Sequence, residues 1–183
     1  MLHSLWFRFC LLSLCLLSPA VAKTPRPLVD VPIQTVSGQK INIKQYHAKV
    51  VLLVIFSMGC ADCIQTLQLM NKLQTDYGSY GFQALAAAGD DNAKMQLGLF
   101  IDRYRPTFPV GYMSQDEIIK LCDVPKGMRP YVPISLFIDH TNQVHFQYYG
   151  NNAFYQQEEH GMRALIEGLL QQAGAKIQFG EKH

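Results

Sequence analysis

Seven consecutive apolar residues, Val50-Val51-Leu52-Leu53-Val54-Ile55-Phe56, form the most strongly patterned stretch of the chain. A continuous, β-branched run predicts a central strand covered on both faces, because a half-exposed strand alternates instead. Before it, Ile33 to Val36 and Ile41 to Ile43 are brief β-like runs around the turn signal Ser37-Gly38-Gln39, which predicts a small opening hairpin. After it the period changes. From Ala61 to Tyr77, the residues Cys63, Leu67, Met70, Leu73 and Tyr77 return near one face of a helix that Tyr77-Gly78-Ser79-Tyr80-Gly81 closes. Phe82 to Ala88 predicts a second central strand, and Leu97, Phe100, Ile101 and Tyr104 a second helix. Phe108-Pro109-Val110 reads as a short extended piece, Ile118, Ile119 and Cys122 as a short helix, and Pro125 to Pro130 as a loop. Val132 to Ile138 and Gln143 to Tyr149 flank the turn-forming run Asp139-His140-Thr141-Asn142, a hairpin pattern. Met162, Leu165, Ile166, Leu169 and Leu170 predict a final amphipathic helix. The order is β-hairpin, βαβα, a strand-helix insert, then ββα. It implies an α/β domain whose mixed central β-sheet is flanked by helices on both faces.

The two ends stand apart from this pattern. Met1 to Ala22 reads as an export signal: Arg8 near the start, an apolar run from Phe9 to Leu17, and Ser18-Pro19-Ala20-Val21-Ala22 ending in a small-x-small site, so cleavage would follow Ala22. A retained anchor competes less well, because the run is shorter than the roughly 20 residues a spanning helix needs. Leu14 before Cys15 argues against a lipid-modified cysteine. The organisation expected is therefore residues 1–22 as cleaved signal, 23–30 as an extended lead-in with Pro25 and Pro27, 31–174 as one domain, and 175–183 as a polar tail. Roughly 160 residues remain after cleavage, enough for one core without staples and with no stable membrane span.

A formal charge of +2 is close to neutral and gives no sign of a phosphate-tracking surface, so no nucleic-acid partner is expected. Of five cysteines, Cys10 and Cys15 leave with the signal, and the remaining Cys60, Cys63 and Cys122 are no disulfide framework. In an exported protein, a pair separated by two residues plus one odd cysteine points to thiol chemistry or metal binding. An oxidising compartment such as the periplasm would keep an idle pair as a disulfide, so a working reductase there needs a membrane or periplasmic electron donor.

A strand running straight into Cys60-Ala61-Asp62-Cys63 and then a helix sets Cys60 at a helix N-terminus, where free backbone N–H groups and the helix dipole favour a thiolate. Cys60 is the expected nucleophile. Cys63 lies one turn on, and because ideal helical neighbours are too far apart for a disulfide, Cys60 must sit outside regular helix geometry. The cycle expected is attack by Cys60 on a partner disulfide, then resolution by Cys63. The Asp62 carboxylate opposes a second negative charge beside it and would raise the thiol pKa, which argues for a reducing pair. No external cofactor is implied, since the cysteine pair is itself the redox centre. A zinc site would need a second close pair. Cys122, among apolar helical neighbours, reads as a small buried residue.

In these landmarks the chain resembles the TlpA-like and redoxin (AhpC-TSA-related) thiol-disulfide oxidoreductases of the thioredoxin superfamily. The resemblance rests on Ser37-Gly38-Gln39-Lys40 in the hairpin, the run from Lys49 into Cys60-Ala61-Asp62-Cys63, and Val132-Pro133-Ile134-Ser135-Leu136-Phe137-Ile138-Asp139. It implies a thioredoxin-like fold with the N-terminal β-hairpin and strand-helix insert as additions, a periplasmic location, and protein thiols and disulfides as substrates. It also implies that Pro133 is a cis-proline facing the cysteines and that Val132 offers backbone hydrogen bonds to an extended substrate. The chain departs from the pattern at Gly59, where Trp often precedes the first cysteine, at Val54, where thioredoxin has a buried acid, and at Gln68, where a proline commonly bends the helix. No proton acceptor is evident.

Two other functions compete. A thiol peroxidase of this fold would carry Pro-x-x-x-Thr-x-x-Cys, but Leu53 and Ser57 occupy the proline and threonine places. A copper-binding or delivery module could use the two thiolates with His140 or His145, or with Met58, although cysteines in such relatives are usually more widely spaced.

Overall fold

The computed structural model describes residues 24–177 except Lys126 and Arg129. The expected export signal and the end of the polar tail lie outside the described residues. Strand β1 (Arg26–Pro27) and the hairpin strands β2 (Ile33–Gln34) and β3 (Lys40–Ile41) precede β4 (Val50–Phe56). Then come α1 (Ala61–Tyr77), β5 (Phe82–Ala88), α2 (Ala93–Tyr104), β6 (Val110–Tyr112), α3 (Gln115–Cys122), β7 (Ile134–Ile138), β8 (Gln143–Tyr149) and α4 (Glu158–Gln172). All eight strands join one sheet in the order β1-β8-β7-β4-β5-β6-β2-β3. β4 is parallel to β5 and antiparallel to β7, so the sheet is mixed and the architecture is the thioredoxin-like α/β fold with extra strands.

Every residue of β4 is buried, and its alternation divides the interior in two. Leu52, Val54 and Phe56 face a core with Met70 and Leu73 of α1, Leu97 of α2 and Ile166 of α4. Val51, Leu53 and Ile55 face the other way, toward Ile33 and Ile41 of the hairpin and Ile118 and Leu121 of α3. This two-sided burial is why the strand reads as continuously apolar. Truncating one such leucine to alanine costs about 2–5 kcal/mol in a packed core.

Some elements lie elsewhere than their pattern suggests. β6 starts at Val110 because Pro109 has no N–H for a ladder; its carbonyl still accepts from the Ala86 N–H at 3.1 Å. Part of the lead-in is strand: Arg26 and Pro27 pair with Val144 and Gln143, and Arg26 Nη2 donates to the Leu121 carbonyl (2.9 Å) and Gln147 Oε1 (2.7 Å). Ile119 is 43% exposed, whereas Ile118, Leu121 and Cys122, at i, i+3 and i+4, turn inward. Beyond α4, Ala175 and Ile177 still pack against the core.

The start of α4 is clamped onto α1. Arg163 reaches Asp76 (2.7 Å), the Tyr77 hydroxyl (3.1 Å) and Glu159 (3.0 Å), and Tyr77 also donates to Glu167. No helix among the described residues is long and apolar enough to cross a membrane.

The β7–β8 turn is organised by one carboxylate. Asp139 Oδ1 accepts from the Thr141 N–H, the Thr141 hydroxyl and the Gln143 N–H, each at 2.8 Å, while Oδ2 meets His145 Nε2 at 2.8 Å. Burial pushes this carboxyl up, but the hydrogen bonds outweigh it and hold it below the ordinary value. The folded state therefore favours the ionised form, and the resulting stability is present at neutral pH and lost as pH falls through the folded-state value. Asp139→Ala is expected to cost about 1–3 kcal/mol at pH 7 in urea unfolding, with the gap to wild type narrowing below about pH 4. A gap that stays constant down to pH 3 would contradict the assignment.

Candidate active site

β4 delivers the chain to the site. After Phe56, the Ser57-Met58-Gly59 turn is closed by the Cys60 N–H donating to the Ser57 carbonyl at 3.1 Å. Cys60 caps α1 with extended backbone angles (φ −92°, ψ 115°), and its Sγ accepts from the Cys63 N–H at 3.2 Å. It thus stands outside the regular helix, as bridging to Cys63 requires. Both cysteines are free thiols here. Cys60 is partly exposed and Cys63 is fully buried. Burial pushes the Cys63 thiol far above its ordinary value, reinforced by its hydrogen bond to Cys60 and the charges of Cys60 and Asp62, with only a Ser57 backbone hydrogen bond opposing.

Three neighbours hold this arrangement, and pattern reading found none of them. Asp90, just past β5, accepts from the Ser57 hydroxyl (2.7 Å) and the Met58 N–H (3.0 Å), pinning the turn before Cys60. Gly150, just past β8, lies against the Val132-Pro133 peptide, which is cis. A Cβ at position 150 would fall 2.3 Å from the Val132 oxygen. Tyr155, in the 3-10 turn Ala153–Gln157, sends its hydroxyl beneath that peptide, donating to the Pro133 carbonyl at 3.0 Å and meeting Ser135 Oγ at 2.9 Å. Tyr148 and Phe154, stacked at 4.1 Å, pack beside it.

The Val132-Pro133 peptide stands between two open clefts. One, of about 580 Å³, is lined by Ser57, Asp90, Pro130, Val132 and Ile134. The other, of about 330 Å³, is lined by Asp62, Thr66, Pro133, Tyr155 and Glu158. In the second cleft Thr66, buried one turn beyond Cys63, donates to Glu158 Oε1 at 2.6 Å. Asp62 is exposed at its mouth. Val54 is wholly buried, so β4 brings no acid to the pair.

The remaining candidates lie elsewhere. Cys122 is buried in the opposite core, and burial raises its thiol to about 12. Ile134 of β7 is level with Ile55, whereas Ile138 is level with Val51, so His140 and His145 belong to the end of the sheet away from Cys60, roughly 20 Å along the strand. Among the described residues no group of three or more His, Cys, Asp or Glu side chains is placed to hold a metal. Ser57, in the threonine place of the peroxidase pattern, has its hydroxyl committed to Asp90.

A model of the AhpC/TSA family matches residues 24–148. The chain belongs to the AhpC/TSA family. Over 128 residues it is 28% identical to the thiol-disulfide oxidoreductase ResA of Bacillus cereus (strain ATCC 10987 / NRS 248), an alignment covering 70% of each chain. A shorter match, 30% over 82 residues, links it to the thioredoxin-like protein YneN of Bacillus subtilis (strain 168), covering 44% of this chain and 48% of that one. In structure it is similar to a thiol:disulfide interchange protein of the thioredoxin family from Chlorobium tepidum TLS (TM-score 0.66, 17% identity, 82% of this chain and 99% of that one). It is also similar to the thioredoxin domain of a thiol-disulfide oxidoreductase from Bacteroides vulgatus (TM-score 0.60, 13% identity, 76% and 99% covered). These two likenesses concern the fold. Within the AhpC/TSA family the chain is a TlpA/ResA-like redoxin of the thioredoxin superfamily, an enzyme of thiol-disulfide exchange whose redox-active pair is Cys60 and Cys63.

The close approach at Gly150 generates a test. In Gly150→Ala the new methyl must displace the Val132-Pro133 peptide. Cysteine-dependent exchange is expected to fall about ten- to a hundredfold, the loss that a displacement on the order of 1 Å at a positioned site produces, while the fold persists by circular dichroism. Unchanged turnover would show that the position of this peptide does not matter.

Proposed function

We propose that this redoxin is an exported reductase of protein disulfides, with Cys60 as the attacking thiolate and Cys63 as the resolving thiol. The observation that carries this reading is the asymmetry of the pair: a partly exposed sulfur at the start of a helix beside one that solvent cannot reach. Attack by Cys60 on a partner disulfide releases one partner thiol and leaves a mixed disulfide. Cys63 then attacks Cys60 Sγ, the pair is oxidised, and the second partner thiol departs. The open cleft beside the cis Val132-Pro133 peptide supports docking of an extended segment, with the backbone of Val132 as hydrogen-bonding edge and Pro133 as contact surface.

The reductive direction is favoured by electrostatics. A pair becomes oxidising when its thiolate is stabilised in the reduced form. Here Asp62 adds negative charge beside the pair, and burial holds Cys63 protonated. The export signal read from residues 1–22 sets this activity in an oxidising compartment, the periplasm, which calls for a membrane or periplasmic donor to reduce the pair after each turnover.

Insulin reduction tests the exchange, with turnover expected in wild type and abolished in both Cys60→Ala and Cys63→Ala. Equilibration with a dithiol buffer tests the direction: the Cys60–Cys63 potential is expected nearer the value of about −270 mV found for thioredoxin than the −120 mV or so of a strong oxidant. A value at the oxidising end would sink the reductase reading.

A further inference from the structure

We propose that Glu158, carried to the site by α4, is the proton acceptor for the Cys63 thiol, with Thr66 as its positioning residue. The proposal rests on Cys63 acting as the resolving cysteine. A buried thiol held protonated cannot attack a mixed disulfide until a base removes its proton. Val54 leaves β4 without such a base, and among the described residues the carboxylates at this cleft are Asp62 and Glu158. Asp62 is exposed at the rim, whereas Glu158 is half-buried and hydrogen-bonded to Thr66, three residues beyond Cys63 on the same inward face of α1.

The geometry at Thr66 suits a group that must change protonation. Its single hydroxyl proton has two acceptors, Glu158 Oε1 at 2.6 Å and the Asp62 carbonyl at 3.1 Å. While Glu158 is ionised, Thr66 donates to it. Once Glu158 is protonated, Thr66 can turn its proton to the Asp62 carbonyl and accept from the carboxyl. Both states of Glu158 are thereby satisfied without moving the backbone.

Tyr155 lies within electrostatic reach of both Cys63 and Glu158. Its hydroxyl, however, is engaged by Ser135 and the Pro133 carbonyl, so it is not the base. Among the described residues lining this cleft the other charged group is Asp62 of α1, and Thr66 links Glu158 to the turn of α1 that carries Cys63. Burial, with a smaller push from Asp62, raises the Glu158 carboxyl above its ordinary value while Thr66 opposes. Its proton affinity thereby moves toward that of a base working near neutral pH.

In the step itself, the Cys63 proton passes to Glu158 and the thiolate attacks Cys60 Sγ of the mixed disulfide. The Cys60–Cys63 bond forms, the bond from Cys60 to the partner sulfur breaks, and the electron pair leaves on the partner thiolate. That thiolate takes up a proton, and Glu158 returns its own to solvent. The cysteine pair loses two electrons and the partner disulfide gains them.

The experiment follows mixed-disulfide resolution in a single turnover from pH 5 to 8 in wild type, Glu158→Gln and Glu158→Asp. Glu158→Gln is expected to form the mixed disulfide at the wild-type rate but to resolve it at least tenfold more slowly, without the acidic inflection of the wild-type profile. Glu158→Asp should recover part of the rate. A purely structural role would instead lower the melting temperature and slow both mixed-disulfide formation and its resolution, with the acidic inflection left in place. Thr66→Val, which removes the hydrogen bond favouring the ionised carboxylate, should move the inflection to higher pH; this variant decides the matter if Glu158→Gln does not fold. Wild-type resolution with an unmoved inflection would overturn the role of Glu158 while leaving exchange intact. Absence of cysteine-dependent turnover in wild type would instead overturn the reading beneath it.

Discussion

The site depends on one constraint, that β4 be buried on both faces. The strands around it are held in register with it, and three of them deliver their ends to one place. β5, in parallel register from Val50–Phe82 to Phe56–Ala88, brings Asp90 to the turn before Cys60. β7, antiparallel with Ile55 opposite Ile134, brings Val132-Pro133 to the same edge. β8, pairing Ile134 with Tyr149, brings Gly150 against that peptide. The seven apolar residues of β4 touch no substrate. They set the register that gathers three loops around two thiols.

The same burial separates the two sulfurs chemically. Cys60 caps the helix at the edge of the core, whereas Cys63, on the inward face with Leu67 and Met70, inherits the low polarity of the interior. Desolvation disfavours a charged thiolate there by more than Asp62 does from the surface, and burial is accordingly the largest influence on Cys63. The difference in exposure between the two cysteines thus follows from which side of the α1 start each one occupies, three residues apart.

Periodicity made β4, α1, β5, the opening hairpin and α4 legible in the sequence, because each is long or strongly patterned enough for burial to be written into residue type. The limits of α1 and β5 agree with those read from Ala61 to Tyr77 and from Phe82 to Ala88. β1 was not legible: two residues at a sheet edge, one of them proline, carry no period, and the pairing with β8 is more than a hundred residues distant in sequence. Asp90, Gly150 and Glu158 stayed hidden for a related reason. Asp90 follows an apolar strand as any turn residue would, and its contact with Ser57 spans 33 positions. Gly150 resembles an ordinary post-strand glycine until the Val132 carbonyl lies against it. Glu158 and Glu159 read alike as acidic residues opening a helix, yet one turns toward Thr66 and the other toward Lys72 and Arg163.

That last divergence shows how a missing acid can be supplied from another element. A carboxylate on β4 would face the interior with desolvation opposing its charge on every side. At the first residue of α4 the same group is only half-buried: the Thr66 hydroxyl donates to it and opposes the desolvation that raises it, and an open cleft in front lets protons in and out. The cost is that a helix packed across α1 must hold its start in place. The contacts of Arg163 with Asp76 and Tyr77 meet that requirement, about one turn from Glu158. With Glu158 as the base, the strand position at Val54 is left as pure core, and the polar duty falls to a residue at the start of a helix that can carry a charge without being sealed around it.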